Sequence, residues 1–134
     1  MIRIILTSII VDDQDKALKF YTEILGFVKK MEFPVGPYRW LTVVTADNQD
    51  GVQLTLEPNA NPLSVTFQKG LFDSGIPATA FGVDDINQEY ERLKSLGVVF
   101  RNKPTVAGPV TIAMFEDTCG NLIQLAQQNK PAGS

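Results

Sequence analysis

Residues 11–26 read VDDQDKALKFYTEILG, and residues 83–97 read VDDINQEYERLKSLG. Both start Val-Asp-Asp, pass through a helical apolar pattern and end Leu-Gly. In the first stretch Ala17, Tyr21, Ile24 and Leu25 recur at helical spacing, with Leu18 and Phe20 beside them. In the second, Ile86, Tyr90, Leu93 and Leu96 form the apolar face. Asp12-Asp13 supplies an N-cap for the first helix, and Asp85 with Gln88 has capping-box spacing for the second. Gly26 and Gly97 follow the last turns, where a left-handed C-terminal cap favours glycine.

The flanking sequence repeats as well. A strand is expected over residues 2–11, before the first helix, and three more over 27–32, 39–45 and 52–57. Pro34, Gly36 and Pro37 break one gap, and residues 47–51 break the next. After the connector 59–75, expected to hold a short helix or ordered loop, strands are expected over 77–83, 98–101, 110–116 and 122–126. The last eight residues, with Pro131 and Gly133, read as a loose tail. Val11 matches Val83 at an offset of 72, Leu25 matches Leu96 at 71, and Gln53 matches Gln124 at 71. Three matches in order, on matching elements, indicate two equivalent βαβββ modules. The fold class is α+β. One domain of 134 residues is expected, with module one at about 1–58 and module two at about 76–128.

Composition narrows the chemistry. The chain has 12 basic and 15 acidic residues, so it lacks the basic excess of a nucleic-acid surface. No apolar stretch approaches the roughly 20 residues of a membrane span, and the apolar start lacks a signal peptide's cleavage pattern. A lone cysteine makes the reducing cytoplasm the expected compartment. With no histidine and one cysteine, histidine triads and His- or Cys-based zinc sites are excluded.

The residues Val11-Asp12-Asp13, Lys16-Ala17, Phe20-Tyr21, Leu25-Gly26-Phe27, Val83-Asp84-Asp85, Leu96-Gly97 and Glu116-Asp117-Thr118-Cys119-Gly120-Asn121 resemble the glyoxalase/bleomycin-resistance group, the vicinal oxygen chelate superfamily. Thr118-Cys119 departs from the proline and polar residue often found in that last turn. The resemblance implies curved mixed sheets around a concave cavity, helices on the convex side, and frequently a homodimer. In the superfamily's metalloenzymes, four side chains, one each from the first and last strand of each module, hold the metal. The matching positions here are Leu6, Gln53, Ala78 and Gln124. Two hydrocarbons and two neutral amides are a poor donor set for a divalent ion, so no metal and no other cofactor is expected.

Strand alternation from those positions puts Leu6, Ser8, Ile10, Gln53, Thr55, Glu57, Ala78, Ala80, Gln124 and Ala126 on the concave face. Gln53, Gln124, Ser8 and Thr55 are candidate polar contacts for a ligand, or satisfy each other and water in a filled cavity. Trp40 is a candidate wall for a flat ligand with Arg39 pairing to a carboxylate; alternatively Trp40 is core or dimer interface and Arg39 is surface. Glu57 is the one candidate catalytic base, against a solvated rim position, and Cys119 reads as a turn residue. The expected function is metal-independent binding of a small organic molecule, for instance drug or metabolite sequestration. The alternatives are a lyase, isomerase or dioxygenase with a degenerate or displaced metal site, or an accessory protein whose cavity is filled.

Overall fold

The computed structural model describes residues 1–130; of the expected tail, residues 131–134 lie outside the described residues. The order of elements is β1 (Leu6–Val11), α1 (Gln14–Lys19, continued by a π-helical turn Phe20–Ile24), β2 (Val28–Val35), β3 (Tyr38–Val44), β4 (Gln53–Pro58), α2 (Pro62–Asp73), β5 (Thr79–Gly82), α3 (Ile86–Ser95), β6 (Thr105–Ala107), β7 (Val110–Glu116) and β8 (Leu122–Gln128). Two four-stranded mixed sheets form with the same order, β1-β4-β3-β2 and β5-β8-β7-β6. In each, the outer strand before the helix runs parallel to the last strand of its module. The repeat read from the sequence is therefore a repeat of topology.

Backbone contacts divide the chain into two compact units. One is Met1–Lys69 with the turn Thr118–Gly120, and the other is Gly70–Asp117 with the described residues from Asn121 onward. The division falls inside α2, within the expected connector. Both modules carry the expected caps. Asp13 accepts from the Lys16 amide and Asp85 from the Gln88 amide, at 3.0 and 3.1 Å. Gly26 and Gly97 both adopt φ +89°, which a side chain would strain. The next amides bond back to the Tyr21 and Leu93 carbonyls, six and five residues earlier, closing the two C-terminal turns.

Several boundaries differ from the sequence expectation. Residues 2–5 are not strand: the Gln53 amide to the Ile5 carbonyl is the last rung, and the chain before Gln53 turns away through the 47–51 loop. The first helix is not regular: the Leu25 amide bonds to the Phe20 carbonyl, five residues back, within a π turn. It buries the adjacent rings of Phe20 and Tyr21 edge to face at 5.7 Å, while Ile24 and Leu25 stay half-buried. β2 runs on through Pro34, which an edge strand tolerates because its N–H would face outward, and a tight Gly36-Pro37 turn closes the hairpin.

The strand expected at 98–101 contributes only a bridge between Phe100 and Phe115. Asn102 interrupts it: its side chain accepts from the Met114 amide and donates to the Ile112 carbonyl, standing in for ladder bonds. The paired strand starts three residues later, at Thr105. At the other end, Gln127 and Gln128, expected in the tail, belong to β8, and the Gln127 side-chain Oε1 accepts from the Ile86 amide at the start of α3.

The core of each unit lies between sheet and helix. In the first it comprises Ile9, Val11, Ala17, Tyr21, Leu41, Val43 and Leu56, all buried. In the second it comprises Ile86, Leu93, Ala113, Phe115, Ile123 and Leu125. Ile9, Val11, Leu54, Leu56, Ile123 and Leu125, which alternate with the concave-face residues, are buried, whereas Phe81 and Val83, which alternate likewise, are not. Each side chain of this size contributes on the order of 1.5–3 kcal/mol on burial.

Candidate functional site

The opposite face of the first sheet is open. Its register is Leu6 beside Gln53, Ser8 beside Thr55, and Ile10 beside Glu57. On β3 and β2 the same face carries Trp40 opposite Phe33 and Thr42 opposite Met31. Leu6, Met31, Phe33 and Tyr38 are each about two-fifths exposed (40, 39, 44 and 43%). Exposed apolar side chains on one face of a sheet make that face a candidate binding surface.

Two hollows indent it. The first, about 400 Å³, is lined by Ile5, Leu6, Met31, Phe33, Trp40 and Gln53. The Phe33 and Trp40 rings stack at 6.3 Å and form one wall. The second, about 300 Å³, has Tyr38, Trp40, Thr55 and Glu57 in its walls, with Asn61 and Ser64 from the start of α2. Trp40 separates the two.

The second hollow exists because β3 and β4 part company. Their paired register is limited to Thr42 with Thr55 and Val43 with Leu54. Beyond that, Gln14 bridges the gap from the helix side. Its Nε2 donates to the Arg39 and Leu56 carbonyls at 2.7 and 3.0 Å, and its Oε1 accepts from the Arg39 amide at 3.1 Å. Sequence reasoning missed Gln14. Its only signal was a polar residue at the first helical position, which usually faces water.

The candidate residues divide as follows. Gln53 and Leu6 line the first hollow, Thr55, Glu57 and Arg39 the second, and Trp40 both. Ser8 stands beside Thr55 on the outer strand and is exposed. Gln124, in the other unit, is half-buried and pairs with Ala80; Ala78 lies one pleat earlier, just before β5, its amide on the Leu122 carbonyl. The two modules therefore differ by one pleat at the matched outer strand.

Arg39 and Trp40 point to opposite faces of β3. The Arg39 guanidinium is held by Asp15 of α1 at 2.7 Å and by Glu32 at 2.9 Å. The pairing of Arg39 with a ligand carboxylate, expected from its place beside Trp40, therefore meets a cation already shared by two carboxylates. Glu32 sits below the ordinary carboxylate range, chiefly because Lys29 donates to it, with Arg39 adding to the effect. Cys119 is buried in its turn, and its carbonyl accepts from the Asp12 amide and from Gln68 Nε2.

The donor set at the matched positions does not fit a divalent ion. Leu6 and Ala78 offer no lone pair, and Gln53 Oε1 already accepts the Thr42 hydroxyl at 2.7 Å. Among the described residues no three Asp, Glu or Cys side chains gather as a metal centre would require. Among the described residues, Thr55 Oγ1 is the buried side-chain polar atom without a hydrogen-bond partner.

Comparison with known proteins agrees with this architecture. The chain is 57% identical to the Bacillus subtilis (strain 168) protein YurT over 94% of its own length and 99% of the relative's. It is 30% identical to a probable lactoylglutathione lyase of Synechocystis sp. (strain ATCC 27184 / PCC 6803 / Kazusa), covering 90% of this chain and 92% of that one. Its structure resembles that of TnmS3, an antibiotic binding protein from Streptomyces sp. CB03234, with a TM-score of 0.77, 28% identity, and coverage of 96 and 98% of the two chains. The family model of the Glyoxalase/Bleomycin resistance protein/Dioxygenase superfamily matches residues 3–125, and the chain belongs to that superfamily.

Proposed function

We propose that the protein binds a small organic molecule without a metal, on the open face of its first sheet, and so serves in drug or metabolite sequestration. The observation that carries this reading is the stacked Phe33–Trp40 wall over a hollow whose polar element is a neutral amide, Gln53. Such a site selects by shape and hydrogen bonding, not by coordination. The antibiotic binding stated for TnmS3 supports it, and Gln124 is kept as an amide candidate on the second module's own sheet. The chain acts as one cytoplasmic domain and pairs as a homodimer. The exposed Leu63, Val65 and Phe67 of α2 support the pairing, as apolar surface for a partner copy.

A thermal-shift screen of planar antibiotics and metabolites tests this, with wild type, Trp40→Ala and Gln124→Leu side by side. A ligand that stabilises wild type and loses its effect in Trp40→Ala is the expected result. A ligand that stabilises all three equally places the site elsewhere. The lyase relative favours a second reading, an enzyme with displaced metal ligands. Stoichiometric metal in protein purified without chelator would favour that reading.

A further inference from the structure

The second hollow has a chemistry of its own. Thr55 is 3% exposed, and its hydroxyl has no hydrogen-bond partner among the described residues. A buried hydroxyl left unpaired is costly, and a ligand that drew it out toward the hollow that Thr55 helps line would relieve that cost. Glu57 stands two residues along the same face of β4, exposed, with no ion pair among the described residues. Trp40 and Tyr38 supply aromatic walls.

An anion is disfavoured there, although the start of α2 contributes to the lining. Pro62 at the first helical position has no N–H to offer. The Ser64 amide is taken by Asn61 Oδ1 at 2.9 Å, and the Val65 amide by the Asn61 carbonyl at 3.2 Å. The one cation in the lining, Arg39, is held by Asp15 and Glu32. Glu57 is thus the full charge left without a counterion in this hollow.

We propose that the second hollow binds a protonated primary or secondary amine carried on a planar ring. The ammonium faces the Glu57 carboxylate and draws the closed-off Thr55 hydroxyl round to accept from it, while the ring and its charge lie against Trp40 and Tyr38, as cations do over aromatic faces. This deepens the reading of the open face as a small-molecule site, and names the ligand class.

Trp40 is the sole tryptophan, so its fluorescence reports binding at this wall directly. The test titrates the full chain with benzylamine, benzyl alcohol and benzoate at neutral pH, where the amine is charged. Benzylamine should bind at least about fivefold more tightly than the alcohol, the scale of one favourable charge contact. Glu57→Gln should erase that advantage, and Thr55→Val should weaken the amine about tenfold. Glu57→Gln changes an exposed side chain, so the test survives if Thr55→Val folds poorly. Amine and alcohol binding alike, benzoate binding best, or an amine affinity untouched in Glu57→Gln would each overturn the proposal. Nile red, a neutral apolar dye, serves as the control for the first hollow. If the dye binds wild type and is lost in Phe33→Ser while the amine fails, the amine site alone falls; if the dye also fails, the reading of the whole face falls with it.

Discussion

Replacing Gln14 with leucine removes the bridge that holds β3 and β4 where their ladder ends. Gln14 is 8% exposed, and its amide satisfies three backbone groups: the Arg39 N–H, the Arg39 carbonyl and the Leu56 carbonyl. Leucine has similar volume, so the cavity cost is small and the loss is one of hydrogen bonding. Each buried group left unpaired costs about 1–3 kcal/mol, but water can reach Arg39 through the open hollow, which brings the expected total to about 3 kcal/mol. At roughly 2.1 cal/mol/K per residue, a 134-residue chain unfolds with an entropy of about 0.28 kcal/mol/K. The melting temperature should therefore fall by about 10 °C. Urea denaturation of wild type and Gln14→Leu gives the free energy, and hydrogen exchange gives the site. Exchange at the Arg39 amide should accelerate while the Val43 amide, within the ladder, keeps its protection. A loss below about 1 kcal/mol with unchanged exchange at Arg39 would refute the bridge.

Thr55→Val should stabilise the free protein by about 1 kcal/mol, since it removes a buried hydroxyl without a partner; destabilisation in thermal melts would show the hydroxyl already bonded. Gly120→Ala should destabilise by about 2–4 kcal/mol, because Gly120 has φ +97° and an added Cβ would lie 2.7 Å from Gln68 Nε2. In a Gln68→Ala background the steric part should vanish, and a cycle showing full additivity would count against the clash. The carboxyl of Glu32 is held below its ordinary value of 4.5, so its contribution is present above that pH and is lost as pH falls through the lowered folded-state value. Melting temperatures of wild type and Glu32→Gln should accordingly differ at neutral pH and converge in acid; a gap that widens on acidification would reverse the assigned sign.

Much of the architecture was legible because it depends on local, periodic signals. The Asp-Asp starts, the Leu-Gly ends and the alternation of β1 and β4 are set by backbone caps, left-handed glycines and two-sided burial. Which residues of β1 and β4 share a face came from the same alternation, since a one-residue slip would have exposed Ile9, Val11, Leu54 and Leu56. The strand expected at 98–101 had suitable residues but did not form, because Asn102, remote from its partners in sequence, took over the ladder bonds there.

The sequence by itself determined the superfamily fold, the absence of histidine chemistry, and which residues of the first sheet avoid the core. The tertiary structure alone decided how those residues combine. Arg39 and Trp40 are neighbours in sequence and face opposite ways, because adjacent strand residues alternate and Asp15 and Glu32 hold the guanidinium on the helix side. The parting of β3 and β4, the amide of Gln14 that spans it, and the unpaired Thr55 hydroxyl arise from contacts between segments far apart in the chain. Local propensity carries no record of such contacts, because a buried amide and a solvated one read as the same residue until packing separates them.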